Sequence, residues 1–229
     1  MDVHRPKPTH SWNELIGEIG VIVLGVLIAL AAEQAVEMVH WNHQLVDARK
    51  ALREELANNA GSAYAHRAIY DCNAKALSTL RAELLKSGPN WKAKPGAYEA
   101  LLFTWDSSAW RTAQASGTLG HMSPQELTGY AAAYQFPTLF GEQEAKAQDD
   151  AAQLDLLAND INLGDGLRGR MLEAVNRAER QNWLMALGAK QFLESAAAVG
   201  VTLSDADKKR QDGQIGTPDT DCAVRTKAG

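Results

Sequence analysis

The sequence predicts an all-α protein in which a single transmembrane helix near the N-terminus continues into a helical bundle. Three observations lead to this fold class. Alanine, the strongest helix former, occurs 38 times among 229 residues. Apolar residues recur at helical spacing through most of the chain, without the alternation that is typical of strands. One stretch of 14 residues, 19–32, has no polar side chain at all.

The composition excludes two broad classes of protein. With 45% apolar and 22% charged residues the chain can bury a core, so it is not disordered as a whole. Its net charge of -5 lacks the clustered excess of Lys and Arg that phosphate binding requires. We therefore expect no nucleic-acid partner.

The apolar stretch predicts a membrane anchor. A helix that crosses a bilayer core of about 30 Å needs about 20 residues, and residues 15–36 supply them if the two Glu residues among them lie near the interfaces. Trp12 and Trp41 bracket the segment, as aromatic residues do at membrane surfaces. Two other interpretations stay open: a cleaved signal peptide with an A-x-A-like site at residues 29–31, and the core helix of a soluble protein.

The predicted topology leaves the N-terminus in the cytoplasm of a bacterial cell. Residues 1–14 form a short leader, 15–36 cross the inner membrane, 37–203 form a helical periplasmic domain and 204–229 form a polar tail. Basic residues are nearly balanced on the two sides of the anchor, so the positive-inside rule gives little direction. A short leader before a long domain favours a signal anchor that exports the domain.

One face of the anchor is rich in small residues. Residues four apart lie on the same side of a helix, and small residues at such positions let a second membrane helix approach closely. Glu18 lies near this face and could transfer protons, although the helix dipole also favours a Glu in a first turn. The predicted interface, with another membrane protein or a second copy of the chain, consists of Gly17, Glu18, Val21, Gly25, Ala29, Ala32 and Glu33.

Two segments resemble those of one protein family. Residues 17–37, GEIGVIVLGVLIALAAEQAVE, resemble the anchors of poorly characterised bacterial single-pass membrane proteins with an N-terminal GEI-x-V-x-x-GVLIAL-like motif. Residues 104–127, TWDSSAWRTAQASGTLGHMSPQEL, look like the Trp-rich segment of the same group. The resemblance implies a single-pass topology and no particular activity.

Helical spacing divides the residues after the anchor into further helices. The anchor helix is predicted to continue to about Asn59 and to end before Gly61. A second helix follows from Ser62 to Lys86, where Ser, Gly and Pro give a strong stop signal. A third helix, residues 98–114, is expected to be interrupted around residues 106–108, where a serine could cap a new start.

The clearest helix start in the sequence is a capping box, with Ser123 as N-cap, Pro124 at the first position and Glu126 at the third. Pro137 is predicted to break the helix that begins there. Helices at residues 138–162 and 167–199 follow, and Asp165 is expected to cap the second. Because the first of them is acidic and the second basic, they should pair as an antiparallel hairpin.

Four polar residues on one surface just after the anchor are candidate metal ligands: Glu37, His40, His43 and Asp47. Carboxylate di-metal bundles need two E-x-x-H motifs, and the sequence has only one. We therefore expect a polar collar beside the membrane and no cofactor.

Cysteine and tryptophan mark two further candidate features. Cys72 and Cys222 are the only cysteines, and in an oxidising compartment they are expected to form a disulfide. The alternative is a buried free thiol at Cys72. Trp105, Trp110 and His121 lie in a segment rich in Ser, Thr and Gly and are candidate ligand or partner contacts, although aromatic residues are more often part of a core.

These patterns favour a membrane-anchored accessory or interaction subunit that is not an enzyme. Its expected partners are the lipid bilayer and another membrane protein or a second copy of the chain. A periplasmic ligand-sensing module is the first alternative. A metal-dependent or hydrolytic enzyme is the second, although the sequence has no G-x-S-x-G motif.

Overall fold

A computed structural model describes residues 12–93, 98, 103–159 and 162–215, apart from the side chains of Glu14 and Gln214. Within these residues all regular structure is helical, so the predicted all-α class is confirmed. The helices are α1 (Trp12–Lys86), α2 (Ser108–Ala115), α3 (Pro124–Asp155), α4 (Asp165–Ala198) and α5 (Asp205–Ile215), with single 3₁₀ turns at Thr118–His121 and Leu156–Ala158.

The chain divides into two compact units, Met1–Asp47 and Ala48–Gly229. The first unit contains the apolar part of α1. The second contains the rest of α1 and all the other helices, and it holds most of the buried apolar side chains. Each unit is described separately below.

Gly61 does not end a helix, and the prediction that α1 divides there is wrong. The helix continues to Lys86, where the predicted stop is confirmed. A Cβ atom placed on Gly61 would lie 2.7 Å from Nε2 of Gln211. Glycine at this position leaves room for the Gln211 side chain of α5, and the helix continues despite the loss of about 1 kcal/mol of helix propensity.

Pro137 likewise lies inside α3, and the predicted break at this residue is wrong. A proline in a helix removes one backbone donor and crowds the carbonyl four residues earlier. Tyr134 and Phe140 on either side of it are almost fully buried. Burying an aromatic side chain stabilises a fold by about 1.5–3 kcal/mol, so the two rings together can offset the cost of about 3 kcal/mol that a proline imposes within a helix.

Three other predicted helix boundaries differ from the structure. Residues 98 and 103–107 are not helical, so α2 is much shorter than the predicted helix and begins at Ser108. Asp165 is the first residue of α4 rather than its cap, which is Gly164. The helix predicted to reach residue 162 ends at Asp155, because Leu157 turns into the core.

The capping box at the start of α3 is confirmed. The side chain of Ser123 accepts a hydrogen bond from the backbone N–H of Glu126 at 3.2 Å. The Glu126 carboxylate in turn forms two hydrogen bonds with Arg49 of α1, at 2.6 and 2.8 Å. These bonds, more than any other interaction, lower the pKa of Glu126. The helix start is thus joined to α1 by an ion pair.

The contacts between helices define a three-helix arrangement. Arg49 pairs with Glu126 and His66 with Glu144, so α1 and α3 run parallel. Arg177 of α4 pairs with Asp150 of α3, whereas the later residue Gln181 contacts the earlier residue Gln143. The hairpin of α3 and α4 is therefore antiparallel and is joined by opposite charges, as predicted.

The core of the second unit is formed by leucine, alanine and aromatic side chains. Buried residues of α1, α3 and α4 form one large cluster at the end of the bundle where α1 finishes. The predicted stripe of α4 is confirmed, since its members from Met171 to Phe192 are buried and Leu167 packs against them. This stripe comprises Leu167, Met171, Val175, Ala178, Met185, Ala189 and Phe192.

Part of the segment predicted as a polar tail forms α5. Its last residue, Ile215, is buried against Ala65 and Ile69 of α1. Tyr64 donates a hydrogen bond to Asp212 at 3.0 Å. One apolar contact and a few polar contacts hold this helix against α1. Because it buries so few apolar residues, its composition did not predict a packed helix. Residues 216–229 of the predicted tail lie outside the described part.

Gly188 of α4 provides a test of the α3–α4 packing. A Cβ atom on Gly188 would lie 2.7 Å from Cζ of the buried Phe140 ring. Gly188→Ala should therefore lower the free energy of unfolding by about 1–3 kcal/mol through overpacking, as measured by urea unfolding. Gly169→Ala on the same helix has open space around it and should raise stability by up to about 1 kcal/mol. Equal effects of both substitutions would contradict the close packing.

Candidate functional site

The apolar part of α1 is exposed along its whole length. Its most apolar window of 18 residues has a mean hydropathy of 2.6, and none of the window is buried. It lies in the only helix of the described residues that is long and apolar enough to cross a membrane. Large side chains such as Val21, Ile22 and Leu27 are more than half exposed.

The predicted interface residues all lie on this exposed segment. Gly17 and Gly25 have no atoms within 4 Å of the place where a Cβ would be. No other part of the described chain therefore covers these glycines. Whether a second helix packs on this face stays a prediction.

The four residues of the predicted polar collar lie on the exposed surface of α1. Their contacts are local: Trp41 donates to Glu37 at 3.3 Å, and the ring of His40 is 3.0 Å from the amide of Gln44. No group of three or more His, Cys, Asp and Glu residues among the described ones could hold a metal ion.

The structure separates the three residues of the predicted contact segment. Trp105 lies in a buried group of rings and is 4.4 Å from Phe140, between ring centres. Trp110 instead stacks on Tyr134 at 5.1 Å. His121 is exposed in a 3₁₀ turn. The two tryptophans therefore pack against neighbouring rings, and whether any of the three residues contacts a ligand or a partner stays a prediction.

The described residues of the second unit contain a buried His–Glu pair that the sequence analysis missed. Nε2 of His66 in α1 lies 2.5 Å from Oε1 of Glu144 in α3, and the two side chains are 11% and 7% exposed. The indole N–H of Trp105 donates to the same carboxylate oxygen at 3.3 Å. The ring of His66 is stacked on Trp105 and lies 4.4 Å from Phe103.

Other polar side chains extend this buried group toward α4. The amide of Asn182 donates to the backbone carbonyl of Tyr70 at 3.0 Å, and Gln181 contacts Gln143. Tyr98 lines a small cavity together with His66, Glu144 and Asn182. Its burial, together with the charges of Asp150 and Glu144, raises its pKa to about 12, so the phenol is neutral at neutral pH.

Chemically, this buried group joins helices, since the His66–Glu144 contact links α1 to α3. A buried polar contact favours the register in which both groups have a partner, because another register leaves a buried polar group unsatisfied.

A second buried carboxylate holds the connection between α1 and α3. Oε2 of Glu55 accepts hydrogen bonds at 2.8 Å from the backbone N–H of Ala109 and the hydroxyl of Ser108. Glu55 thus places a negative charge at the N-terminus of α2, where the helix dipole favours it. One turn later Asn59 accepts from the backbone of Asp106 and donates to its carbonyl.

Burial and the nearby Glu55 strongly raise the pKa of Tyr134, so this tyrosine is neutral. Its hydroxyl donates to the backbone carbonyl of Leu52 at 2.9 Å. The hydroxyl of Tyr130, one turn earlier in α3, is buried with no hydrogen-bond partner among the described residues, as is Oε1 of Glu55. Bound water is the ordinary partner of such atoms.

Cys72 is disulfide-bonded in the structure. Cys222, its predicted partner, lies outside the described residues, so the pairing itself stays a prediction. Cys72 lies in α1, one turn after Ala68.

His66→Leu tests the energetic role of the buried pair. This substitution leaves the buried Glu144 carboxylate without its His66 partner, and the free energy of unfolding should fall by about 3 kcal/mol in urea unfolding. Adding Glu144→Gln should recover part of that loss, because the amide still accepts from Trp105 and carries no charge.

The exposed pair Lys190–Glu194 supplies the control, since Lys190→Gln should change stability by less than about 0.5 kcal/mol. If the double variant were no more stable than His66→Leu alone, charge burial would not be the cause of the loss.

Comparisons of the chain with protein-family models, with curated proteins and with solved structures found no match. No activity, ligand or partner can therefore be transferred from a relative. What the chain does has to be inferred from its own residues, above all from the exposed apolar helix and the buried polar groups.

Proposed function

We propose that this protein is a membrane-anchored accessory subunit, which associates through its N-terminal helix with another membrane protein or with a second copy of itself. One observation carries the proposal: the window of mean hydropathy 2.6 has no residue buried within the chain. A helix that is apolar on all sides needs either a protein core or a lipid environment around it. Since the described chain provides no core here, a bilayer is the environment that fits.

The dimensions of the segment agree with this proposal. Residues 15–36 are helical throughout, and at a rise of about 1.5 Å per residue they extend over about 33 Å, close to the thickness of a bilayer core. Trp12 is 80% exposed at one end, and Trp41 follows the other end. The resemblance of residues 17–37 to bacterial single-pass anchors supports the same interpretation.

The proposed orientation places the N-terminus in the cytoplasm and the second unit in the periplasm. Long domains are exported largely regardless of their charge, so the near balance of basic residues on the two sides of the anchor does not oppose this orientation. A disulfide between Cys72 and Cys222, as predicted, would suit an oxidising compartment.

The exposed small-residue face supports the proposed association. In lipid the hydrophobic effect does not drive helices together, so they associate through close backbone contact at small residues. Gly17, Gly25 and Ala29 supply such a face, and Gly25 has open space beside it. The second unit would then be held beside the partner and present its own surface to it.

Leu24→Arg combined with Leu27→Arg tests the anchor. Each arginine at the middle of a membrane helix costs about 3 kcal/mol of insertion free energy, so the variant should move from the membrane fraction to the soluble fraction of a bacterial host.

The orientation is tested in spheroplasts of the wild type, in which added trypsin should degrade the second unit.

The matched control is Asn42→Arg with Val46→Arg, two exposed positions on the same helix outside the apolar window, which should leave the chain in the membrane. Recovery of the wild type as a soluble protein would exclude the anchor. Protection from trypsin in spheroplasts, with degradation in inverted vesicles, would reverse the orientation.

Gly25→Leu tests the association. The larger side chain keeps the segment apolar but prevents close approach, so a partner that is recovered in stoichiometric amount from mild detergent should be lost. Val23→Leu, on the opposite side of the helix, adds one methylene group and should retain it. A wild-type chain that is monomeric and without a partner in such detergent would contradict an accessory role.

A further inference from the structure

A partly open cavity of about 500 Å³ lies at the surface of the second unit between α1, residues 103–104 and α5. Its volume falls in the range of small-molecule sites in proteins. The proposed anchor and its partner have no part in this cavity. Its existence depends on α5, the helix that the composition did not predict.

The charged groups of the cavity form a matched pair. Nη2 of Arg210 lies 2.6 Å from Oδ1 of Asp207, and both residues line the cavity. The other oxygen of Asp207 accepts from the backbone and hydroxyl of Ser204, which hold the carboxylate in place. A ligand with one positive and one negative group could exchange both charges with this pair without leaving any charge unpaired.

The remaining lining provides hydrogen-bonding groups on one side and an apolar wall on the other. Asn58 and Ser62 of α1 face the cavity, and Ser62 donates to the carbonyl of Thr104 at 2.8 Å. The wall is formed by Phe103, Leu203 and Ile215. Phe103 is itself held in position by the His66 ring behind it.

The close approach of α5 at Gly61 helps to shape the cavity. Nε2 of Gln211 lies 2.7 Å from the place of a Gly61 Cβ, and both residues line the site. The amide of Gln211 therefore lies directly over the α1 backbone. An alanine at position 61 would displace this amide.

We propose that this cavity binds a small α-amino acid with an apolar side chain. Its carboxylate pairs with Arg210, its ammonium group pairs with Asp207, and its side chain lies against the wall of Phe103, Leu203 and Ile215. An exposed pair three residues apart on a helix is weak, so the exchange of Arg210 and Asp207 for ligand groups meets little resistance. A ligand with a single charge can form only one of these two pairings.

The test is calorimetric titration of the full chain in mild detergent with three probes of similar shape. These are L-leucine, 4-methylpentanoate, which keeps only the carboxylate, and 3-methylbutan-1-amine, which keeps only the ammonium group. L-Leucine should bind at a saturable site, and each single-charge probe should bind at least about tenfold more weakly.

Arg210→Gln should weaken L-leucine binding by a similar factor, whereas Lys209→Gln, which removes a cation from the same helix outside the cavity, should not change it. Thermal unfolding of both variants shows whether they remain folded. The probe series uses the wild type alone and needs no variant.

Saturation by all three probes with equal affinity would overturn the proposal, and so would the absence of binding up to about 10 mM L-leucine. Neither result would affect the proposed anchor, since the titration does not depend on a membrane partner.

Discussion

Residues 48–86 of α1 form the surface on which every other helix of the second unit is fixed. Glu55 holds the start of α2, Arg49 and His66 hold α3, Tyr70 holds α4 and Tyr64 holds α5. The residues that make these contacts lie on both sides of Gly61 in the sequence. They can all reach their partners only if the helix continues through Gly61 without a break. The unbroken helix is therefore a condition for the bundle rather than a consequence of local propensity.

Local signals predicted the parts of the fold that depend on a few neighbouring residues. The Ser123 capping box and the stop after Lys86 were found because their chemistry is complete within one turn. Gly61 and Pro137 were misinterpreted for the opposite reason, because their surroundings come from other helices. Gln211 of α5 lies beside Gly61, and the two rings that flank Pro137 contact Leu52 of α1 and Gly188 of α4. Distant packing overrode a local preference of a few kcal/mol at most.

The buried polar groups could not be predicted for a related reason. His66 and Glu144 are 78 positions apart, and neither lies in a recognisable motif. A buried pair is visible only when the register of α1 on α3 is known, and that register depends on the long connection held by Glu55 and Asn59. Trp105 did attract attention in the sequence, but its surroundings identify it as the donor that completes this pair. The apolar helix at residues 15–36, in contrast, is a property of consecutive residues, and predicting it needed no tertiary information.

α1 is one continuous helix, but its two parts carry different patterns of apolar residues. In the second unit, apolar residues follow one stripe, with Leu52 and Leu56 fully buried. The polar residue Glu55 also faces inward, where Ser108 donates a hydrogen bond to it. Between residues 19 and 32 the helix is apolar on every side, and nothing in the described chain covers it. A stripe is the pattern of a helix with water on one side, whereas apolarity on all sides is the pattern of a helix that water does not reach. In such a helix hydrophobicity does not favour a partner helix over lipid, because both are apolar. Association therefore depends on shape, and the smallest residues mark the face on which another helix can approach closely.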